Sequence, residues 1–249
     1  MSIYGNPVMM GGAGGNTIVS KTITSNGTYN ASADNADGYD PVIVSVPAGG
    51  GLPSDYQEVE YLSIGSTRTY ITVPYGPRAG DVISCASSQQ DWTTPSSAAV
   101  CGIRNADNDT ADGYRVNLCV QTSNGERKRL LYANVGQAHD YDDPTKIASN
   151  GTSVIYGPAI SAGEIVYRKV VIDTTSYLRV LVYGKYSSTE YTVNGNLYGL
   201  TINDATGVAV MKLVPCYRVA DSVCGFFDLC NRRFYTAVQG SFTPGPDAN

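Results

Sequence analysis

The sequence predicts an all-β protein: a two-sheet β-sandwich preceded by a small N-terminal β module. Three observations predict it. Ten short runs of β-branched and aromatic residues recur between turn signals after position 51. No segment in that region carries the apolar 3.6-residue period of an amphipathic helix. The composition agrees, with 27 Gly and 19 Tyr against 4 Phe and 1 Trp, which describes a turn-rich chain whose aromatic area is mostly Tyr. Tyr joins an apolar ring to a polar tip and suits surfaces that bind or associate.

Taken in order, residues 1–15 form a glycine-flexible leader, "MSIYGNPVMMGGAGG", with an apolar plug of Tyr4, Pro7, Val8, Met9 and Met10 beside Ile3. Methionines adapt to irregular docking surfaces, so this plug is expected to anchor the chain to a partner. Residues 16–48 alternate β-branched positions, place a turn at "SNGT" and close with the strand "PVIVSVP". A module this short cannot bury its own core. Its Val42, Val44 and Val46 therefore need an apolar partner, and packing among identical copies would supply it while covering open sheet edges. Residues 49–55, "GGGLPSD" with Ala48 before it, read as a linker. From 56 to 249 the strand-like runs are "TYITVPY", "DVISCAS", "AAVCGIR", "YRVNLCV", "RLLYANV", "SVIYGPAI", "IVYRKVVID", "YLRVLVYGKY", "NLYGLTI" and "AVMKLVPCYR". Ten strands with tight links make a sandwich.

Composition also excludes function classes. A net charge of −5 and a pI near 4.8 leave no basic stripe to displace phosphate counterions, so nucleic acid is not expected as a partner. The densest basic run, "ERKRL" at Glu126–Leu130, reads as a solvated hairpin end. No apolar run approaches the ~20 residues that span a bilayer. The N-terminus lacks a basic region followed by an apolar core, so synthesis in the cytoplasm is expected, with release through assembly into a particle. The six cysteines (85, 101, 119, 216, 224 and 230) are scattered without a C-x-x-C pair. They read as buried free thiols, with oxidised pairing after release as the alternative.

"VADSVCGFFDLCNRRFYT" (Val219–Thr236) gathers two aspartates, two cysteines and two arginines among aromatics. "VCGFFD" and "RFYTA" have strand composition and "LCN" is turn-like. A hairpin is therefore expected, with Asp228 and Asn231 at the turn ends and Arg232 and Arg233 at its exposed exit.

The same region carries a resemblance. "LVPCYRVADSVCGFFDLCNRRFYTAVQGSFTPG" (Leu213–Gly245) resembles the closing segment of concanavalin A-like lectin/glucanase (laminin-G-like) jelly rolls, which are common in proteins of gut Firmicutes and their tailed phages. Pro215, Cys216, Tyr217, Arg218, Asp221, Gly225, Asp228, Phe234, Tyr235, Thr236, Gly240 and Phe242 sit where that pattern has them. "LPSDYQEVEYLSIGSTRTYITV" resembles the family's opening through Leu52, Pro53, Tyr56, Glu58, Glu60, Tyr61, Tyr70 and Ile71, and "VNGNLYGLTIND" its penultimate strands. The two matched ends are expected to pair or lie close together. "KTITSNGTYNASADNADGYDPVIVSVP" is similar to a module that recurs in phage tail and minor structural proteins, through Asn26, Gly27, Thr28, Tyr29, Asp37, Gly38 and Tyr39. Together the likenesses imply an antiparallel jelly roll in a virion structural protein of tail-fibre, tail-tip or head-fibre type. They imply other virion proteins as partners and a homotrimer, since phage fibres of this kind are commonly trimers.

An enzyme is not expected. The single histidine, His139, lies in the polar stretch "QAHDYDD", which reads as an exposed loop. Glycoside hydrolysis needs two carboxyls flanking the bond, and glucanases of this class carry an E-x-D-x-x-E type strand that is missing here. Only Glu58 and Glu60 have i, i+2 spacing, and the resemblance assigns them to a structural strand near the domain entrance. No cofactor is implied and no metal site is expected. "ADNDTADG" places Asp107, Asp109 and Asp112 as in a calcium loop, but Ala111 and Leu118 stand where EF-hand ligands belong. A looser calcium loop with Asp140, Asp142 or Asp143 is the alternative to a plain turn.

Host-surface glycan is the expected ligand, recognised by an aromatic platform and a few fixed polar groups. Trp92, alone in the polar stretch "SSQQDWTTPSS", is the natural platform, with Arg104, Asp112 and Tyr114 along the same rim. Two other readings stand: Trp92 packs on a neighbouring subunit, or the sandwich is a particle decoration that binds nothing.

Overall fold

The computed structural model describes residues 27–29, 42–44, 51–64, 69–89, 98–104, 114–123, 126–133, 136–173, 180–185 and 195–248. The chain divides into two units, Met1–Gly49 and Gly50–Asn249. In the first, β1 (Gly27–Tyr29) pairs antiparallel with β2 (Val42–Val44), Gly27 opposite Val44 and Thr28 opposite Ile43. Gly27 and Thr28 are thus strand residues and not part of a turn, because the β-branched Thr28 and aromatic Tyr29 continue the pleat. The apolar plug of Tyr4, Pro7, Val8, Met9 and Met10 lies outside the described residues.

The second unit opens with β3 (Tyr56–Glu58), β4 (Leu62–Ile64), β5 (Thr69–Val73), β6 (Val82–Gln89) and β7 (Ala98–Arg104). Then come β8 (Tyr114–Ser123), β9 (Glu126–Ala133), β10 (Gln137–Asp140), β11 (Ile147–Ser149) and β12 (Thr152–Ala159). The chain continues through β13 (Val166–Ile172), β14 (Val180–Lys185), β15 (Gly195–Asn203) and β16 (Ala209–Arg218). It closes with β17 (Cys224–Asp228), β18 (Arg233–Thr236) and β19 (Thr243–Pro244). Each of the ten strand-like runs overlaps one of these strands, and no helix occurs among the described residues.

The strands form an antiparallel β-sandwich. The large sheet runs β11-β10-β13-β6-β15-β16-β17-β18, with β3 beside β16 and β4 beside both β15 and β19; the small sheet runs β12-β9-β8-β7-β14-β5. The two matched ends do pair. Cys216 lies opposite Glu58, Val59 bridges Asp247, and Thr243 lies opposite Ser63.

Alternation explains which face each strand buries. In β13, Val166, Arg168, Val170 and Ile172 point inward while Tyr167 is exposed and Lys169 and Val171 are half-buried. One core joins both sheets: Ile83, Val170, Ile202, Leu213 and Phe226 from the large one meet Ile71, Ile103, Leu131 and Leu181 from the small one.

Tyr183 of β14 crosses that core. Its hydroxyl lies 2.9 Å from the carbonyl oxygens of both Ala86 and Gly199, where β15 bulges between Leu197 and Gly199. A bulge removes ladder partners, and the phenol supplies one in their place. Tyr183→Phe is expected to cost about 1–3 kcal/mol, because a dry carbonyl is left without a donor. Urea unfolding checks this, and an unchanged midpoint would contradict it.

The Val219–Thr236 stretch is a hairpin in which Gly225 lies opposite Thr236 and Asp228 opposite Arg233. Gly225 is required by close approach, since a Cβ there would sit 2.3 Å from the Tyr235 carbonyl oxygen. Asp228 is fully buried and organises the turn. It accepts hydrogen bonds from the backbone N–H of Lys212 (3.1 Å) and Cys230 (3.0 Å) and from Asn231 Nδ2 (2.6 Å). Arg232 is exposed, lies over the Phe227 ring and donates to the Gly51 carbonyl at 3.1 Å.

Candidate functional site

A groove of about 730 Å³ runs along the outer face of the large sheet. Strand register builds it. Lys169 lies opposite Ser84, Ser84 opposite Thr201, and Thr201 opposite Lys212, so one polar row crosses β13, β6, β15 and β16. In the neighbouring row Tyr167 lies opposite Ala86, and Ala86 opposite Gly199. Ala86 and Gly199 leave a low floor beside the polar row.

The rim is aromatic and charged. Tyr167 is 69% exposed, the most open of the large hydrophobic residues described. Its own carbonyl accepts a hydrogen bond from Arg129 Nη1 at 2.8 Å, which ties the strand under the ring to β9 of the other sheet. Lys169 Nζ sits 3.3 Å from the centroid of the Tyr141 ring, a cation–π contact that holds the ammonium at the groove edge. Tyr198, the bulged residue of β15, makes an edge contact with Tyr61 at 5.4 Å, and its hydroxyl lies 3.4 Å from Ser88 Oγ.

Glu58 and Glu60 line the opposite wall. Val59 between them is buried, so alternation sends both carboxylates toward the same side. The strand assignment made from sequence is correct for Glu58, and both glutamates lie along the groove. Here a groove carries an exposed aromatic, two lysines, two carboxylates and hydroxyls over a floor of small residues. Such a surface can stack against a sugar ring and hydrogen-bond its hydroxyls.

Of the residues expected from sequence, the described ones fall elsewhere. Trp92 and Asp112 lie outside the described residues. Arg104 and Tyr114 are direct register partners at the ends of β7 and β8, with Val180 opposite Arg104 on the other side. The structure therefore brings Arg104 and Tyr114 together, but on the small sheet, away from the groove. The missed signal was the alternation in "IVYRKVVID", which puts Tyr167 and Lys169 on the face opposite Val166 and Val170.

His139 is not an exposed loop residue. It lies within β10, half-buried, opposite Val171 and Ile147, with Nδ1 2.6 Å from Asp173 Oδ1. Pairing with β13 draws this polar stretch into the sheet. Among the described residues no serine or cysteine side chain is hydrogen-bonded to the ring.

Two of the carboxylates proposed for a calcium loop, Asp140 and Asp143, are engaged in turns. Asp140 Oδ1 accepts from the N–H groups of Asp142 (3.0 Å) and Asp143 (2.9 Å), and Asp143 Oδ1 accepts from Thr145 Oγ1 (2.6 Å). The Thr145 hydroxyl, helped by Lys146, holds the Asp143 carboxyl below its ordinary range. Among the described residues no group of three or more His, Cys, Asp or Glu could hold a metal ion. Asp107 and Asp109 lie outside them.

Burial favours the thiol form at both hairpin cysteines. Burial pushes Cys230 up to about 11, with Asp228 adding to the rise, and burial alone raises Cys224. Their sulfurs face the carbonyls of Ala209 and Ser222 at 3.6 and 3.7 Å. A thiol in this state is a poor nucleophile and a poor metal ligand.

No protein-family model matches the chain, and no curated protein matches it by sequence.

Proposed function

We propose that this chain is a virion structural protein of tailed-phage type whose jelly-roll sandwich binds host-surface glycan along the outer face of its large sheet. The observation that carries the binding claim is the exposed Tyr167 beside the row Lys169–Ser84–Thr201–Lys212. An aromatic face next to ordered donors and acceptors, over a floor cleared by Ala86 and Gly199, matches the alternating apolar and polar surface of a pyranose. The resemblance of Leu52–Ile71 and Leu213–Gly245 to lectin-type sandwiches, and of the 16–48 module to phage tail proteins, supports the virion setting.

The reading is binding without cleavage. Glu58 and Glu60 stand side by side on one wall, whereas hydrolysis needs carboxyls on both sides of the scissile bond. Met1–Ala48 serves in this account as the anchoring and trimerising region.

Gold labelling of purified particles with antibody to the chain, together with a glycan array probed with purified protein, tests the proposal. The expected results are labelling on the particle and a defined set of bound glycans without release of reducing sugar. Labelling with a blank array would make the protein a decoration that binds nothing, and sugar release would make it a depolymerase. Leu52–Asn249 expressed alone is expected to remain folded by circular dichroism but to fail to join particles. Incorporation of that fragment would place the anchor elsewhere.

A further inference from the structure

The core holds a positive charge that no described residue neutralises. Arg168 of β13 is 1% exposed and faces inward. Its Nη1 donates to Ser87 Oγ at 2.5 Å, while Nε and Nη2 are buried without a hydrogen-bond partner. Among the described residues no carboxylate forms an ion pair with it. Asp140, buried on the neighbouring strand β10, spends Oδ1 on the N–H groups of Asp142 and Asp143. A guanidinium keeps its proton in a protein, and a buried charge left unpaired is costly.

The side chain beside it can present further donors. Ser87 and Gln89 of β6 are 0% and 3% exposed. Gln89 Nε2 lies 3.5 Å from Ser87 Oγ, and Gln89 Oε1 is buried without a partner. In that orientation the Ser87 oxygen receives two donors, and its own proton has no acceptor. A half-turn of the Gln89 amide exchanges its isosteric oxygen and nitrogen. Ser87 then accepts from Arg168 and donates to Gln89 Oε1, and the Nε2 group takes the place of the orphaned oxygen. Arg168 and Gln89 meet at one hydroxyl, so their free N–H groups share one neighbourhood. Gln89 also has room. Gly195 lies opposite it on β15, and Gly163 donates its N–H to the Gln89 carbonyl at 2.8 Å, so neither neighbour brings a side chain.

Donors without acceptors around a permanent cation select an anion. Water would satisfy the N–H groups but bring no opposite charge. An oxyanion with two charges would need more donors than Arg168 and Gln89 offer. A spherical monovalent anion asks only for a few N–H groups and one positive charge. We propose that Arg168 and Gln89 hold one chloride-class anion inside the sandwich, with Ser87 as the positioning residue that fixes both side chains. Such an ion binds the folded chain and not the unfolded one, so it stabilises the sandwich by mass action.

The test follows the thermal midpoint of the full chain as sodium gluconate is replaced by sodium chloride at constant ionic strength. Once the site fills, the midpoint is expected to rise by about 3–6 °C for each tenfold of chloride, and equally with bromide. Crystals grown in bromide are expected to show an anomalous peak within hydrogen-bond reach of Arg168 Nε and Nη2. Arg168→Met is expected to lose the chloride dependence. If that variant lacks the wild-type circular dichroism spectrum, Gln89→Leu replaces it, because the charge is kept and one donor is lost. Gln89→Leu is expected to need at least about tenfold more chloride for the same rise. Equal midpoints in gluconate and chloride overturn the proposal. So does a carboxylate of the chain, in place of bromide, against Arg168 in the crystal, or a variant whose midpoint follows chloride as wild type does.

Discussion

Phe226→Ala is expected to destabilise the sandwich by about 3–5 kcal/mol. Phe226 is fully buried on β17, and its ring meets Tyr183 at 5.2 Å and Phe242 at 5.7 Å in an edge-on contact. It therefore joins three parts of the chain: the closing hairpin, the small sheet through β14, and the segment leading to β19. Removing the ring loses its transfer free energy and leaves a cavity that the packed rings of Tyr183 and Phe242 cannot fill. Domain stabilities commonly lie between about 5 and 15 kcal/mol, so this single change removes a large share. Chemical unfolding followed by circular dichroism measures it. A loss below about 1 kcal/mol would show that the closing hairpin is not part of the central core.

Gly184→Ala is expected to cost about 2–6 kcal/mol, from strain and overpacking together. Gly184 lies in β14 with φ of 122°, a backbone conformation that L side chains rarely adopt. A Cβ there would sit 2.5 Å from the Thr69 carbonyl oxygen and 2.8 Å from Tyr70 Cα on β5. Both are backbone atoms, so no side chain can swing away, and relief requires prying β5 from β14. Gly184 lies opposite Tyr70 in that ladder. The expected signature is a lower thermal midpoint with faster hydrogen exchange in β5. A variant with wild-type exchange there would contradict the close approach.

How much of this was legible in the sequence depends on the physical signal each part leaves. Long strands with β-branched alternation, such as "YRVNLCV" and "IVYRKVVID", were readable because burial on one face writes a period of two into the chain. The strands β10 and β11 were not. "QAHD" and "IAS" are short and carry little apolar alternation; β10 is placed by pairing with β13, which is not adjacent in sequence, and β11 by pairing with β10. His139 was misplaced for that reason. The groove was half legible. Tyr167 and Lys169 could be assigned to the outer face from alternation alone. Their companions Ser84, Thr201 and Lys212 come from three other strands, and only long-range register aligns them. Arg168 left the plainest unread signal, a charged residue at an inward position between Val166 and Val170, where the pattern and the chemistry disagree.

Glycan affinity of Tyr167→Ala beside wild type and Trp92→Ala is the most direct test of the binding claim. Isothermal titration against the strongest array ligand measures it. Tyr167→Ala is expected to lose at least about tenfold in affinity, or about 1.4 kcal/mol, with unchanged folding, while Trp92→Ala binds nearly as wild type. Wild-type binding by Tyr167→Ala, with loss in Trp92→Ala, would move the site off the large sheet and contradict the claim.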